Sequence, residues 1–283
     1  MTLMELAQKA VSVAMLAFVL SSMLGMGLGL TVGQIIAPLR NARLVLLSLV
    51  ANFVLMPLLA VGLARLLRLD KSLGVGLVLL GAAAGAPFLP KLAQIAKGNL
   101  AFAVGLMVLL MVLTIAYLPL VLPLLLEGVS VNPAKIARSL VLLMLLPLAV
   151  ALGVKAKFPA LAARVKPGLD KTSTWSLILV IVLLSAVNFK SVLAVFGTGG
   201  ILAGLLFLAA GYGIGWLLGG PGADTRRVLG FGTSQRNIAA ALVVGGQSFD
   251  DPNVVVMVVV VAIVGLLLLI PLSRFLAKRQ SLD

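Results

Sequence analysis

Long apolar stretches alternate with short polar breaks along the chain. They fall at about 10–33, 43–66, 72–95, 99–126, 136–154, 173–189, 200–218, 227–247 and 253–273. Each approaches the roughly 20 residues that a helix needs to cross a hydrocarbon core of about 30 Å. The breaks carry turn and cap residues. Arg40-Asn41-Ala42-Arg43 follows Pro38, Arg68-Leu69-Asp70-Lys71 ends the second stretch, and Lys97-Gly98-Asn99 makes a tight turn. Glu127 to Lys135 holds Asn132-Pro133, Lys155 to Lys171 holds Pro167-Gly168, and Gly219-Gly220-Pro221-Gly222 precedes Asp224. Asp250-Asp251-Pro252 opens the last stretch, with Pro where helix starts prefer it. Val254 to Ile270 has no polar side chain; in lipid an open strand leaves its backbone unpaired, so the pattern predicts helix there despite the valines. The first stretch follows Glu5 rather than a basic cluster. It predicts a true span, not a signal peptide, and its Gly25, Met26, Gly27 and Gly29 permit close helix contact.

Two of the nine stretches do not read as continuous helices. The third runs Gly81-Ala82-Ala83-Ala84-Gly85-Ala86-Pro87-Phe88-Leu89-Pro90-Lys91, and its two prolines remove backbone donors and disfavour helix before each. The eighth runs Gly230-Phe231-Gly232-Thr233-Ser234-Gln235-Arg236-Asn237 before returning to an Ala-rich run. Six consecutive polar or Gly residues in mid-membrane suit neither lipid contact nor a simple span. Broken helices at corresponding places in two halves point to a secondary-transporter site. Spans one to four and six to nine form two such sets, each with its third member broken. Five spans separate equivalent members, so the sets have opposite orientation, with span five unpaired. The expected fold is therefore all-α: a polytopic membrane protein of nine transmembrane helices with an inverted repeat and two crossing broken helices.

Composition agrees. Of 283 residues 62% are apolar and 11% charged, and the mean hydropathy is +1.23. A soluble fold carries about 25% charged residues. There is no Cys and no His, which removes disulfides, thiolate nucleophiles, His relays and zinc or haem ligation. The eight acidic residues lie in breaks or near the ends. A membrane-embedded enzyme thus lacks a general base or metal ligand at mid-depth, and no enzyme activity and no cofactor are expected. The net charge of +14 reads as Lys and Arg facing anionic lipid rather than nucleic acid. Counted by alternating loop, seven cations fall on the N-terminal side and thirteen on the other. The positive-inside rule then puts the N-terminus outside and the C-terminus in the cytoplasm of a cell-membrane protein.

Lys91 and Arg236 belong to neither loop set, because both sit inside spans. A cation at mid-bilayer costs about 2.5–3.5 kcal/mol on insertion scales and calls for a functional or structural reason.

Four stretches together resemble the bile acid:sodium symporter family. They are Met23-Leu24-Gly25-Met26-Gly27-Leu28, Asn52-Phe53-Val54-Leu55-Met56-Pro57, Ala96-Lys97-Gly98-Asn99, and Gln235 with its polar neighbours. The resemblance covers most of the chain. It implies a panel domain beside a core domain in which two broken helices cross; one transporter unit over 1–283 is expected, with core 72–126 and 200–273 and panel 10–66 and 136–189. It also exposes departures from the sodium-coupling pattern. Phe231 stands where a Glu is expected and Arg236 where an Asn is expected. Asn52 replaces a Gln, Leu89-Pro90 replaces a Ser-Asn pair, and Ala103 and Met107 replace hydroxyl residues.

The leading expectation is a secondary transporter of a small organic anion working by alternating access. Arg236 and Lys91 would supply as fixed charge what sodium supplies in relatives, and half-helix N-termini would add donors. Gln235, Asn237, Thr233, Ser234 and Asn52 would orient the substrate. Three alternatives stay open. Either cation instead hydrogen-bonds carbonyls freed at the breaks, Lys91 alternatively snorkelling to the interface. Sodium coupling persists through backbone carbonyls with Asn52, Gln235 and Thr233, Gln235 and Asn52 being the side-chain candidates. Or the chain is a channel or a membrane protein that does not transport.

Overall fold

The structure is a computed structural model and describes residues 3–36, 40–126, 132–187 and 195–279. Pro38, Glu127, Lys190, Asp283 and the final two residues of the expected sixth span lie outside the described residues. Among the described residues every regular element is helical. The helices are α1 (Leu3–Gly29), α2 (Val32–Ile36), α3 (Ala42–Leu66), α4 (Lys71–Ala82), α5 (Leu89–Ile95), α6 (Leu100–Leu125), α7 (Pro133–Lys157), α8 (Pro159–Val187), α9 (Gly200–Leu218), α10 (Ala223–Ser234), α11 (Ile238–Ser248) and α12 (Pro252–Arg279).

Seven of these, α1, α3, α6, α7, α8, α9 and α12, contain stretches long and apolar enough to cross a membrane. The third and eighth stretches are interrupted where the sequence predicts. Irregular backbone over 83–86 parts α4 from α5, and 235–237 parts α10 from α11.

Asparagines set several helix starts. The side chains of Asn41, Asn99, Asn132 and Asn237 accept from the backbone N–H three residues on, at 3.1, 2.9, 3.1 and 3.0 Å. Each satisfies one of the donors a helix start leaves free.

The break expected over 155–171 is a correction. Helix α8 starts at Pro159, twelve residues before that break was to end. Proline suits a first turn because its missing N–H would have no partner there anyway. Lys166 pairs with Asp170 one turn on, and Thr172 and Thr174 return their hydroxyls to Gly168 O and Asp170 O. Those contacts support a helix through Pro167-Gly168; Arg164 and Lys171 lie exposed along it and Lys166 is half-buried.

Helix α3 widens into a π-turn over Ala51–Leu55, immediately before Met56-Pro57. The Met56 N–H reaches back to Ala51 O, and Pro57 has no N–H to give. Asn52 O and Phe53 O thereby lose their α-helical donors. Tyr117 of α6 takes Phe53 O with its hydroxyl at 2.5 Å, and its ring packs on Phe53 with centroids 4.7 Å apart. A second π-turn, Val141–Leu145, precedes Leu146-Pro147 in α7 in the same manner.

Helices α1, α7 and α8 pack together, and close approach is made by the Gly positions of α1. A Cβ on Gly27 would overlap Ala151 and the Leu148 carbonyl of α7; one on Gly25 would meet Asp170 of α8. Helix α4 packs on α3 and α12, α9 on α10, and α6 on α5, α7 and α10. The second stretch, α3, thus takes α4 and α9 as its packing partners, which sets it beside the broken helices.

Gly85 stands in the first break with φ +81°, and a Cβ there would overlap the Met111 backbone of α6. A left-handed conformation costs a non-Gly residue about 1–2 kcal/mol before any overlap. Gly85→Ala should lower the thermal unfolding midpoint in detergent by several degrees. Gly62→Ala, where a Cβ meets nothing within 4 Å, should not lower it.

Candidate functional site

The two breaks meet. The Asn237 N–H donates to Ala83 O at 2.9 Å, joining the irregular segment of one interrupted helix to that of the other. The half-helices that run into the meeting point, α4 and α10, bring their C-terminal ends to it. Exposed carbonyls and the negative end of the helix dipole come with those ends.

Arg236 fills that place. It is 2% exposed, and its guanidinium gives all five N–H donors to protein oxygens. Nε donates to Leu80 O at 2.9 Å. Nη1 donates to Asn52 Oδ1 at 2.8 Å and Thr233 O at 3.2 Å. Nη2 donates to Gly81 O at 2.6 Å and Asn52 O at 3.4 Å. Leu80 and Gly81 belong to the last turn of α4, Thr233 to the last turn of α10, and Asn52 O is one of the carbonyls freed by the π-turn of α3. A hydrogen bond to a charged group contributes about 1.5–3 kcal/mol net. Five of them offset the cost of a cation at this depth, about 2.5–3.5 kcal/mol on insertion scales.

Around Arg236 the other polar groups are mostly paired. Asn52 is fully buried and directs its Nδ2 to Ser48 O at 3.0 Å and Thr233 Oγ1 at 3.3 Å. Ser234 returns its hydroxyl to Leu208 O of α9 at 2.7 Å. Thr114 of α6 serves both backbone groups of Ala84, accepting from its N–H at 3.0 Å and donating to its O at 3.1 Å. Two amide atoms at the second break are buried without a partner, Gln235 Oε1 and Asn237 Nδ2. Tyr212 Oη is a third such atom, on α9.

The structure therefore gathers Arg236, Asn52, Thr233, Ser234, Gln235 and Asn237, and it does not gather Lys91. Lys91 lies on α5 beyond the first break, exposed, with Nζ 3.4 Å from Gln94 Oε1. One helical turn of α5 separates the lysine from the irregular segment, and its long stem carries the ammonium outward. The expected role of Arg236 as a fixed charge that binds the anion meets a physical obstacle: its donors are already spent on four main-chain oxygens and Asn52 Oδ1.

The Lys-Gly-Asn turn ties the two interrupted helices together a second time. Lys97 adopts φ +53°, and the Gly98 N–H reaches Ala93 O at 2.8 Å, closing α5. Asn99 caps α6 and also donates from Nδ2 to Asp224 Oδ2 at 3.3 Å in the first turn of α10. Arg227 of α10 donates to Ala96 O at 3.1 Å.

Sequence reasoning missed Thr114, Tyr117 and the Leu80 and Gly81 carbonyls. A signal existed for the first two, since they are the only hydroxyl side chains in α6. No side-chain pattern announces which main-chain oxygens will converge.

A family model described as "Sodium Bile acid symporter family" matches residues 15–195. A protein of Bacillus subtilis described as "Uncharacterized sodium-dependent transporter YocS" is 30% identical over 204 residues, which is 70% of this chain and 60% of that protein.

Thr114→Val keeps the side-chain shape but strands the Ala84 N–H and C=O. It should cost about 1–3 kcal/mol, read as a lower thermal unfolding midpoint in detergent. Thr114→Ser, which keeps the hydroxyl, should recover part of the loss. Equal stability of the Val variant would show that the first break does not depend on this bond.

Proposed function

Because the chain belongs to the sodium bile acid symporter family, we propose that it is a secondary transporter which moves a small organic anion across the cell membrane by alternating access. The observation that carries this reading is the bonded meeting of two interrupted helices, through the Asn237 N–H and Ala83 O. Irregular backbone deep in a membrane protein is tolerated only where protein or a cavity surrounds it, and in transporters such places form the substrate site.

In this reading the seven long helices and the two interrupted ones make nine spans, related as an inverted repeat over spans one to four and six to nine. The core comprises 72–126 and 200–273. Helices α1, α7 and α8 form the panel against which it moves, and the packing of α3 beside α4 favours counting α3 with the core. The N-terminus lies outside and the C-terminus in the cytoplasm.

Gln235 and Asn237 meet the substrate. They hold the unpartnered amide atoms of the second break, and Asn237 Nδ2 is a donor suited to a carboxylate oxygen. Thr233, Ser234 and Asn52 line the same place, and Arg236 sets the positive potential there without giving up its carbonyls. The side chains packed beside the second break are apolar, Leu89 and Leu106 lying against Gly232, which favours an organic anion over a small inorganic one.

A second reading follows from the description of the Bacillus subtilis relative as sodium-dependent. Sodium calls for several oxygen ligands, and Gln235 Oε1 is one unpartnered acceptor at the crossing. The convergent carbonyls, however, already bind the guanidinium. Among the described residues no cluster of three or more acidic side chains is present to balance an added ion. These residues do not fit sodium at that position.

The test is counterflow in proteoliposomes loaded with a series of organic carboxylates. Saturable accumulation of a labelled acid, lost in Asn237→Ala by tenfold or more with folded protein retained, is the expected result. Conductance without saturation would indicate a channel, and no flux of any acid would overturn the transport reading.

A further inference from the structure

We propose that Arg236 is a tethered cation that permanently fills the oxygen cluster between the two interrupted helices, so that the crossing is assembled without sodium. The donor set around the guanidinium is made of oxygen alone: Leu80 O, Gly81 O, Thr233 O, Asn52 O and Asn52 Oδ1. Four are main-chain carbonyls. Two come from the last turn of α4 and one from the last turn of α10, where the helix dipoles point their negative ends at one spot. A hard cation is ordinarily held by such oxygens. Here the charge arrives on a side chain of the second break.

Three further features agree. Asn52 O is available only because the π-turn and Pro57 remove its helical donor, so α3 is shaped to contribute an acceptor. The side chain is 2% exposed and among the largest of the fully buried ones, so the site is filled by the residue itself. Every N–H of the fork has a protein oxygen, so the guanidinium holds its place in the absence of any ligand. Lysine would not reproduce this, because an ammonium has three donors and no planar fork.

The consequence for mechanism rests on the transport reading. An ion that binds and leaves can couple its gradient to a cycle; a tethered one cannot. The site keeps one positive charge in every state, and the anion then moves by exchange or down its own gradient.

The structural part is tested without any substrate. Purified protein in detergent is unfolded thermally in equimolar sodium, potassium and N-methylglucamine chloride, for wild type, Arg236→Gln and Arg236→Lys. The wild type should unfold at the same temperature in all three salts. Arg236→Gln should unfold roughly 10 °C lower and be partly restored by added guanidinium or sodium, with Arg236→Lys in between. A saturable, sodium-specific stabilisation of the wild type would overturn the proposal. So would an Arg236→Gln protein as stable as wild type and indifferent to cations. If Arg236→Gln cannot be recovered folded, the wild-type salt series decides alone. Because none of these readouts involves flux, failure here is separable from failure of the transport reading, which the counterflow experiment measures.

Discussion

An interrupted helix in a membrane leaves carbonyls with no water to take them, and in this chain one guanidinium takes five oxygens at once. The remaining features of the crossing follow from that arrangement. Breaking α4 and α10 is tolerable because Arg236 bonds the last turns of both. Burying Arg236 is tolerable because those turns supply the acceptors. Neither is stable alone, since a lone buried cation and a set of lone buried carbonyls are each costly. The pair is therefore a joint solution, and removing one member exposes the full cost of the other.

The supporting shell shows the same logic. Pro57 opens a π-turn that hands Asn52 O to Arg236 and Phe53 O to Tyr117. Thr114 closes the backbone of Ala84, and Gly85 gives the left-handed turn that lets α6 approach. Asn237 both caps α11 and bonds Ala83 through its own N–H. Only after these demands are met do the unpartnered atoms stand out: Gln235 Oε1 and Asn237 Nδ2 are left with capacity for something else. Under the proposed function, those two atoms, beside a fixed charge, are where the anion would find its partner.

Much of this could be read in the sequence, because breaks in membrane helices are written in Pro, Gly and polar runs. Pro87, Pro90 and the run from Gly232 to Asn237 located both interruptions, and the polar breaks holding Asn41, Asn99 and Asn132 fall where helices start. The Pro167-Gly168 pair misled, since it suggests a loop where Pro159, the Lys166–Asp170 pair and two threonine back-bonds hold a helix. Lys91 and Arg236 look alike as intramembrane cations. Which one turns inward depends on helical phase around the break, and a one-dimensional pattern does not carry it there. The Arg236 partners are mostly main-chain oxygens, so composition cannot reveal that its donors are saturated. The Asn52-to-Pro57 and Lys97-Gly98-Asn99 stretches carried the family resemblance, and their geometry gives that resemblance a physical content: one frees a carbonyl, the other binds α5 and α6 to α10.

The most direct measurement of the central interaction is a nitrogen–carbon dipolar coupling in lipid-reconstituted protein, between the labelled guanidinium of Arg236 and the labelled carbonyl carbon of Gly81. With Nη2 and Gly81 O 2.6 Å apart, a measurable through-space coupling and a guanidinium that does not rotate freely are predicted, unchanged when sodium is replaced by potassium. An absent coupling, or one that appears only when sodium is removed, would contradict the account.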